Sequence, residues 1–253
     1  MFWNLKSWRR RRILKRHPLP DGAWRRVVAR LAFLRGLTQG ELDRLRDWVV
    51  LFLHGKKFSA AGGLILTDEM RVMIAAQACI LILNLDLDYY DDWVEIIVYP
   101  DEFIPEHEYM DEAGIVHRVH DAMCGESWLH GPVILSWADV AGDETAPGYS
   151  VVIHEFAHKL DMRNGEANGF PPLHAEMSQS AWSDALAAAY DNFCMQVDAG
   201  RETVIDPYAA ENPAEFFAVV SEAFFITPRS VQQSYPAVYR QLTLFYRQDP
   251  VAR

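Results

Sequence analysis

Two histidines four residues apart, with a glutamate beside the first, form the segment His154-Glu155-Phe156-Ala157-His158. On a helix, residues four apart lie one above the other, so the two imidazoles face one point. Glu155 stands about 100° around the helix from His154, within reach of a water held there. Two neutral nitrogen ligands and an adjacent carboxylate are what hydrolysis by a metal-activated water needs. The flanks favour this over a pair of surface histidines. Val151, Val152, Ile153, Phe156, Ala157 and Leu160 give the segment a broad apolar surface. Polar groups on such a buried helix are costly unless partnered, and a metal would be the partner.

A catalytic zinc needs a third protein ligand, with the fourth position left to water. Asp161, three residues after His158, is better placed to orient an imidazole N–H than to ligate. His174 and Glu176 follow a Pro-Pro turn and are further candidates. Glu215 and Glu222 lie seven apart, hence on one helix face, among Phe216, Phe217, Phe224 and Phe225. A carboxylate in such apolar company needs a partner. Glu222 fits either a place beside the metal or a buried hydrogen-bonded carboxylate. Glu215 also fits a capping box, with Asn212 as N-cap and Pro213 at the first helical position. A zinc pattern with a following Asp, NExxSD, is not met, because Val219 holds that position. The residues alone leave ligand and cap both open.

The motif helix needs elements to hold it. Trp24, Val27, Val28, Leu31 and Leu34 at helical spacing predict a helix over 23–36. Thr38 with Glu41 is a capping box opening a second helix through about His54, and Gly55 to Gly63 reads as a loop. Thr67 caps a third helix that carries the apolar run from Val72 to Leu85. WVEIIVY (93–99), GIVHRVH (114–120) and VILSW (133–137) read as strands, with a polar turn at 143–148. Residues 181–198, 213–226 and 237–247 read as helices. The fold class is therefore α+β. An extended peptide can add to an exposed sheet edge, and 133–137 is the expected edge.

The 253 residues are half apolar, which suits a globular chain and excludes a disordered one. Residues 1–30 hold ten Lys or Arg against one acid, a net of +9, so the rest carries −20 of the total −11. An acidic body argues against direct nucleic-acid binding. The expected organisation is a flexible basic arm over 1–20 and one domain over 21–253. That domain divides into a helical part (21–87), a sheet and motif-helix part (88–165) and a second helical part (166–253). In the arm, Phe2, Trp3, Leu5 and Trp8 beside the Arg run suit weak contact with an anionic membrane surface. The arm lacks an apolar core of signal-peptide length, and the Val72–Leu85 run is shorter than the ~20 residues a bilayer requires. Cys79, Cys124 and Cys194 have no CxxC spacing and suit a reducing cytosol, so the expected location is cytoplasmic. Scattered His107, His117, His120 and His130 form no second metal pattern. Asp86, Asp88, Asp91 and Asp92 lack the glycine of a calcium loop and read as an acidic turn.

The segments HEFAHKLDMRNG and DPYAAENPAEFFAVVSEAFF, with the strand pair before the motif helix, resemble the Mlc titration factor A family of zinc peptidases. The resemblance runs over most of residues 24–250 and is strongest in those two blocks. It implies a helix-rich, zincin-like α+β fold of gluzincin type, with a small mixed sheet beside the motif helix and a core similar to that of anthrax lethal factor. It implies one zinc ion held by His154, His158 and Glu215, Glu155 as general base, and Tyr208 as donor to the oxyanion. The implied activity is that of an aminopeptidase acting on peptides. The family's name implies a second role, binding a glucose-responsive transcriptional repressor. An alternative is a regulator-sequestering protein whose zinc site is structural or vestigial. Asn212 stands where the family often has Asp, which keeps the cap, and Phe216 replaces a small residue.

Overall fold

The computed structural model describes residues 2–102, 108–110, 116–118, 125–127, 131–142 and 148–253. Its first half contains α1 (Phe2–Arg16), α2 (Asp21–Arg30), α3 (Gln39–Gly55), β1 (Lys57–Ala60), α4 (Asp68–Leu81) and β2 (Glu95–Tyr99). Then come β3 (Glu108–Met110), β4 (Val116–Arg118), β5 (Gly125–Ser127), β6 (Val133–Ser136) and α5 (Trp137–Gly142). The motif helix is α6 (Val151–Asp161), followed by α7 (Gln179–Asp198), α8 (Pro213–Ile226), α9 (Pro228–Ser234) and α10 (Pro236–Tyr246). The architecture is the expected helix-rich α+β class.

Local signals set most of the boundaries. Thr38 and Glu41 make the reciprocal capping box, with the Thr38 N–H donating to Glu41 Oε2 at 2.8 Å. Prolines at the first turn open α8, α9 and α10, where a missing N–H costs nothing. Helix α4 has no wet face from Val72 onward, and a helix apolar all round must be central. It lies between α3 and α6.

Four strands form one sheet in the order β1-β2-β6-β5. The first three are parallel, and β5 runs antiparallel to β6. The sheet is thus mixed, as expected, but its edge is not where it was expected. Val133–Ser136 is interior, paired on both sides, and β1 and β5 are the outer strands. Strand β1 occupies part of the stretch read as a loop, because parallel pairing with β2 captures a short segment that has no alternation of its own. The strand read at 114–120 is present as β4, paired with β3. His107, His120 and His130 lie outside the described residues.

The expected flexible arm is helical. On α1, Arg10 forks onto Asp86 at 2.6 and 3.0 Å, Lys6 pairs with Asp88, and Ile13 and Leu14 pack on the core. The acidic turn read at 86–92 is the anchor that sequence patterning could not match to its partner. Among the described residues no helix is long and apolar enough to cross a membrane.

Behind the motif, Phe156 meets Phe52, Tyr90 and Trp93 at ring distances of 5.7, 5.2 and 5.4 Å. Such tilted and edge-on contacts fix the rotation of α6, so its histidine face is directed away from this cluster. Trp182 and Phe245 do the same for α8 through Phe217.

Candidate metal centre

The histidines stand on the middle turns of α6. Ser150 caps that helix, accepting the Ile153 N–H at 3.2 Å and donating its hydroxyl to Gln77 at 2.7 Å. Glu222, on α8, accepts the Ser150 N–H at 2.7 Å with one oxygen and faces His154 Nδ1 at 2.8 Å with the other. A proton on Nδ1 leaves His154 Nε2 with its lone pair turned inward.

Three atoms converge there. His154 Nε2 is 3.1 Å from His158 Nε2 and 3.0 Å from Glu215 Oε2, and His158 Nε2 is 3.4 Å from the same oxygen. In a tetrahedral site with bonds of ~2.0–2.1 Å, ligand atoms sit roughly 3.3–3.4 Å apart. The three separations match such a triangle, and the buried Glu215 Oε2 has no well-aligned hydrogen bond. Two nitrogens and a carboxylate oxygen in this arrangement fit a divalent ion of the zinc type.

Electrostatics favours a cation at this point. Burial opposes an imidazolium at His154, yet Glu215 and Glu222 outweigh it and hold the group well above the ordinary imidazole range. Burial likewise raises Glu215, but His154 and His158 pull it far below the usual carboxylate range. Burial pushes Glu222 up against the pull of His154.

The open alternatives for the third position separate on geometry. Asn212 alone caps α8, its side chain accepting the Ala214 and Glu215 N–H groups at 2.9 and 3.0 Å. The Glu215 carboxylate turns to the histidines instead. His174 holds the Phe245 carbonyl at 2.8 Å, and Glu176 pairs with Arg247 at 2.6 Å, so neither joins the cluster.

Asp161 is wholly buried, but its oxygen accepts the Asn168 and Gly169 N–H groups at 2.8 and 2.7 Å rather than a histidine N–H. Its other oxygen and His158 Nδ1 are complementary buried atoms, each without a partner. The Gly169 N–H bond to Asp161 also bears on the candidate metal centre. Gly169 (φ 77°) abuts α8, and a Cβ there would sit 2.5 Å from the Pro213 carbonyl oxygen. Asp161 and Gly169 therefore clip the end of the histidine helix to the start of the Glu215 helix. We expect Gly169→Ala to lower stability by ~1–3 kcal/mol through its backbone conformation and to weaken metal binding. Thermal unfolding and a zinc-chelator competition titration measure the two effects.

Beside the cluster is a cleft of about 520 Å³ lined by Gly125, Glu155, Met162, Asn168, Tyr208 and Pro213 among others. Glu155 is 5% exposed and faces this cleft without joining the converging triangle. Tyr208 sits on the short turn Pro207–Ala210, set by Asp206 accepting its N–H at 2.8 Å, with its ring 6.2 Å from that of His154. Burial, then the charges of Glu215, Glu211 and Glu155, push its hydroxyl up to about 12.

Gly125 was not recognised from sequence, since a three-residue strand offers no periodic signal. A Cβ at this position would lie 2.5 Å from Glu155 Oε1 and 2.7 Å from Val151 Cγ2. The bare backbone of β5 is thus what leaves room for the Glu155 carboxylate. We expect Gly125→Ala to displace the Glu155 carboxylate from the cleft wall while metal content stays at the parent level, which zinc quantification and a crystal structure of the variant measure. A Glu155 carboxylate left in place in the variant would contradict this.

Residues 5–247 match the family described as glucose-regulated metallo-peptidase M90. The chain belongs to this family. Relatives called Mlc titration factor A from Yersinia pestis and Yersinia pseudotuberculosis are each 39% identical over 226 residues, spanning 88% of this chain and 83% of theirs. The resemblance read from the two motif blocks is borne out. The metallo-peptidase M90 match takes in the motif helix, Tyr208 and α8, as well as most of α1.

Proposed function

We propose that the protein is a zinc-dependent peptidase of aminopeptidase type, with His154, His158 and Glu215 as ligands and Glu155 as general base. The observation that carries this reading is the meeting of three ligand atoms within 4.8 Å of one another, beside a cleft that Glu155 also faces. Zinc bound there would polarise a scissile carbonyl and make water acidic enough to give up a proton near neutral pH. Glu155 takes that proton and returns it to the leaving amine. The Tyr208 hydroxyl, still protonated at neutral pH, donates to the oxygen on which negative charge develops, a contribution of about 2–4 kcal/mol for such donors. Glu222 fixes the His154 tautomer, and Asp161 faces the corresponding task at His158 while holding the pocket rim. The outer edge of β5 receives the peptide in extended form. A cytoplasmic location accords with the free Cys79 and Cys194.

A second reading rests on the name of the relatives, Mlc titration factor A. In it the protein binds a glucose-responsive transcriptional repressor of the Mlc kind, with or without peptidase activity. Aminoacyl chromogenic substrates, assayed with chelator and after zinc is restored, decide between them. Activity abolished by chelator and recovered with zinc supports the peptidase. Inactivity of zinc-loaded protein together with tight repressor binding overturns it in favour of sequestration.

A further inference from the structure

Nothing proposed above uses α1, and its two sides differ sharply. The inner side is spoken for by the Arg10–Asp86 fork, the Lys6–Asp88 pair, the Arg10 guanidinium 5.1 Å from the Trp48 ring, and Ile13 and Leu14. These contacts fix which side faces out. Leu5 and Trp8 are 63% and 54% exposed, and Arg9, Arg12 and Arg16 continue the same stripe at three- and four-residue spacing. The Arg12 guanidinium lies 5.3 Å from the Trp8 ring, and exposed Arg11 and Lys15 flank the stripe. These cations belong to the segment of net +9 on a chain that is otherwise acidic.

We infer that the outward stripe of α1 (Leu5, Trp8, Arg9, Arg12 and Arg16) docks the protein on an anionic phospholipid surface. A bilayer accounts for both halves of the stripe. Leu5 and Trp8 gain burial at the boundary of headgroups and acyl chains, where Trp is favoured, while the guanidinium groups sit over anionic headgroups. A nucleic-acid backbone would use the cations and leave Leu5 without a role. A planar anionic surface also repels the acidic remainder, which confines contact to α1.

The test uses the full chain and vesicles of phosphatidylcholine with or without phosphatidylglycerol, read by co-sedimentation. Binding should require phosphatidylglycerol and weaken steeply as salt is raised. Reversing the stripe (Arg9→Glu, Arg12→Glu and Arg16→Glu together) should lower partitioning by ~100-fold or more. Trp8→Ala should lower it roughly 10-fold. Both variants should keep the parent's circular dichroism, because none of the substituted side chains packs on the core. Absence of phosphatidylglycerol-dependent binding at low salt overturns the inference, as does equal binding by the reversed variant. Preferential binding to a DNA oligonucleotide, or self-association lost with the same substitutions, reassigns the stripe and overturns it too. None of these outcomes depends on whether the metal reading holds.

Discussion

Glu155→Gln should keep one zinc per chain and lower peptide turnover by roughly 100- to 10,000-fold, the span of general acid–base contributions. The substitution preserves the volume that Gly125 and Val151 leave for the side chain. It removes the carboxylate charge and with it the ability to accept a proton. Glu155 contributes no atom to the convergent triangle of His154, His158 and Glu215, so metal affinity has no reason to fall. Its 5% exposure places the carboxylate at the wall of the cleft, where it meets solvent from one side only. Zinc quantification paired with single-turnover kinetics measures both quantities on one preparation. Turnover at the parent rate would remove Glu155 from the mechanism.

The second large effect separates the two roles that sequence allowed for Glu215. Glu215→Ala should reduce zinc affinity by about 100-fold or more, since even the outer partners of a ligand are worth 10- to 100-fold. It should cost little stability, because the Asn212 side chain caps α8 without using the Glu215 carboxylate. Asn212→Ala should behave in the opposite sense, lowering stability by ~1 kcal/mol with a much smaller change in affinity. A chelator competition series and thermal unfolding of the two variants give the comparison. A large stability loss with intact affinity in Glu215→Ala would restore the capping explanation and leave the metal centre one ligand short.

The candidate site was legible to the extent that it is local. Four-residue spacing on one helix brings His154 and His158 together whatever the rest of the chain does. The caps at Thr38, Ser150 and Asn212 likewise act over two or three residues, and the helices they open lie where patterning puts them. What resisted was set by distant partners. In sequence Glu215 fits ligand and cap equally well, and only the packing of α8 on α6 separates the two. Gly125 and Gly169 are meaningful only through atoms 2.5 Å from a side chain they lack, contributed by residues 30 and 44 positions away. The short strands β1 and β5 carry no alternation long enough to detect, and pairing with β2 and β6 creates them. The basic stretch at the start of the chain became a helix for a similar reason. Its anchor, the Asp86 and Asp88 pair, lies more than seventy residues downstream.

If His154, His158 and Glu215 share a cation, an anomalous difference map at the zinc edge shows it directly. Crystals grown from protein with stoichiometric zinc should give one peak, within bonding distance of both Nε2 atoms and a Glu215 oxygen. A peak elsewhere, or no peak between these side chains in zinc-replete protein, would contradict the proposed centre and the peptidase chemistry built on it.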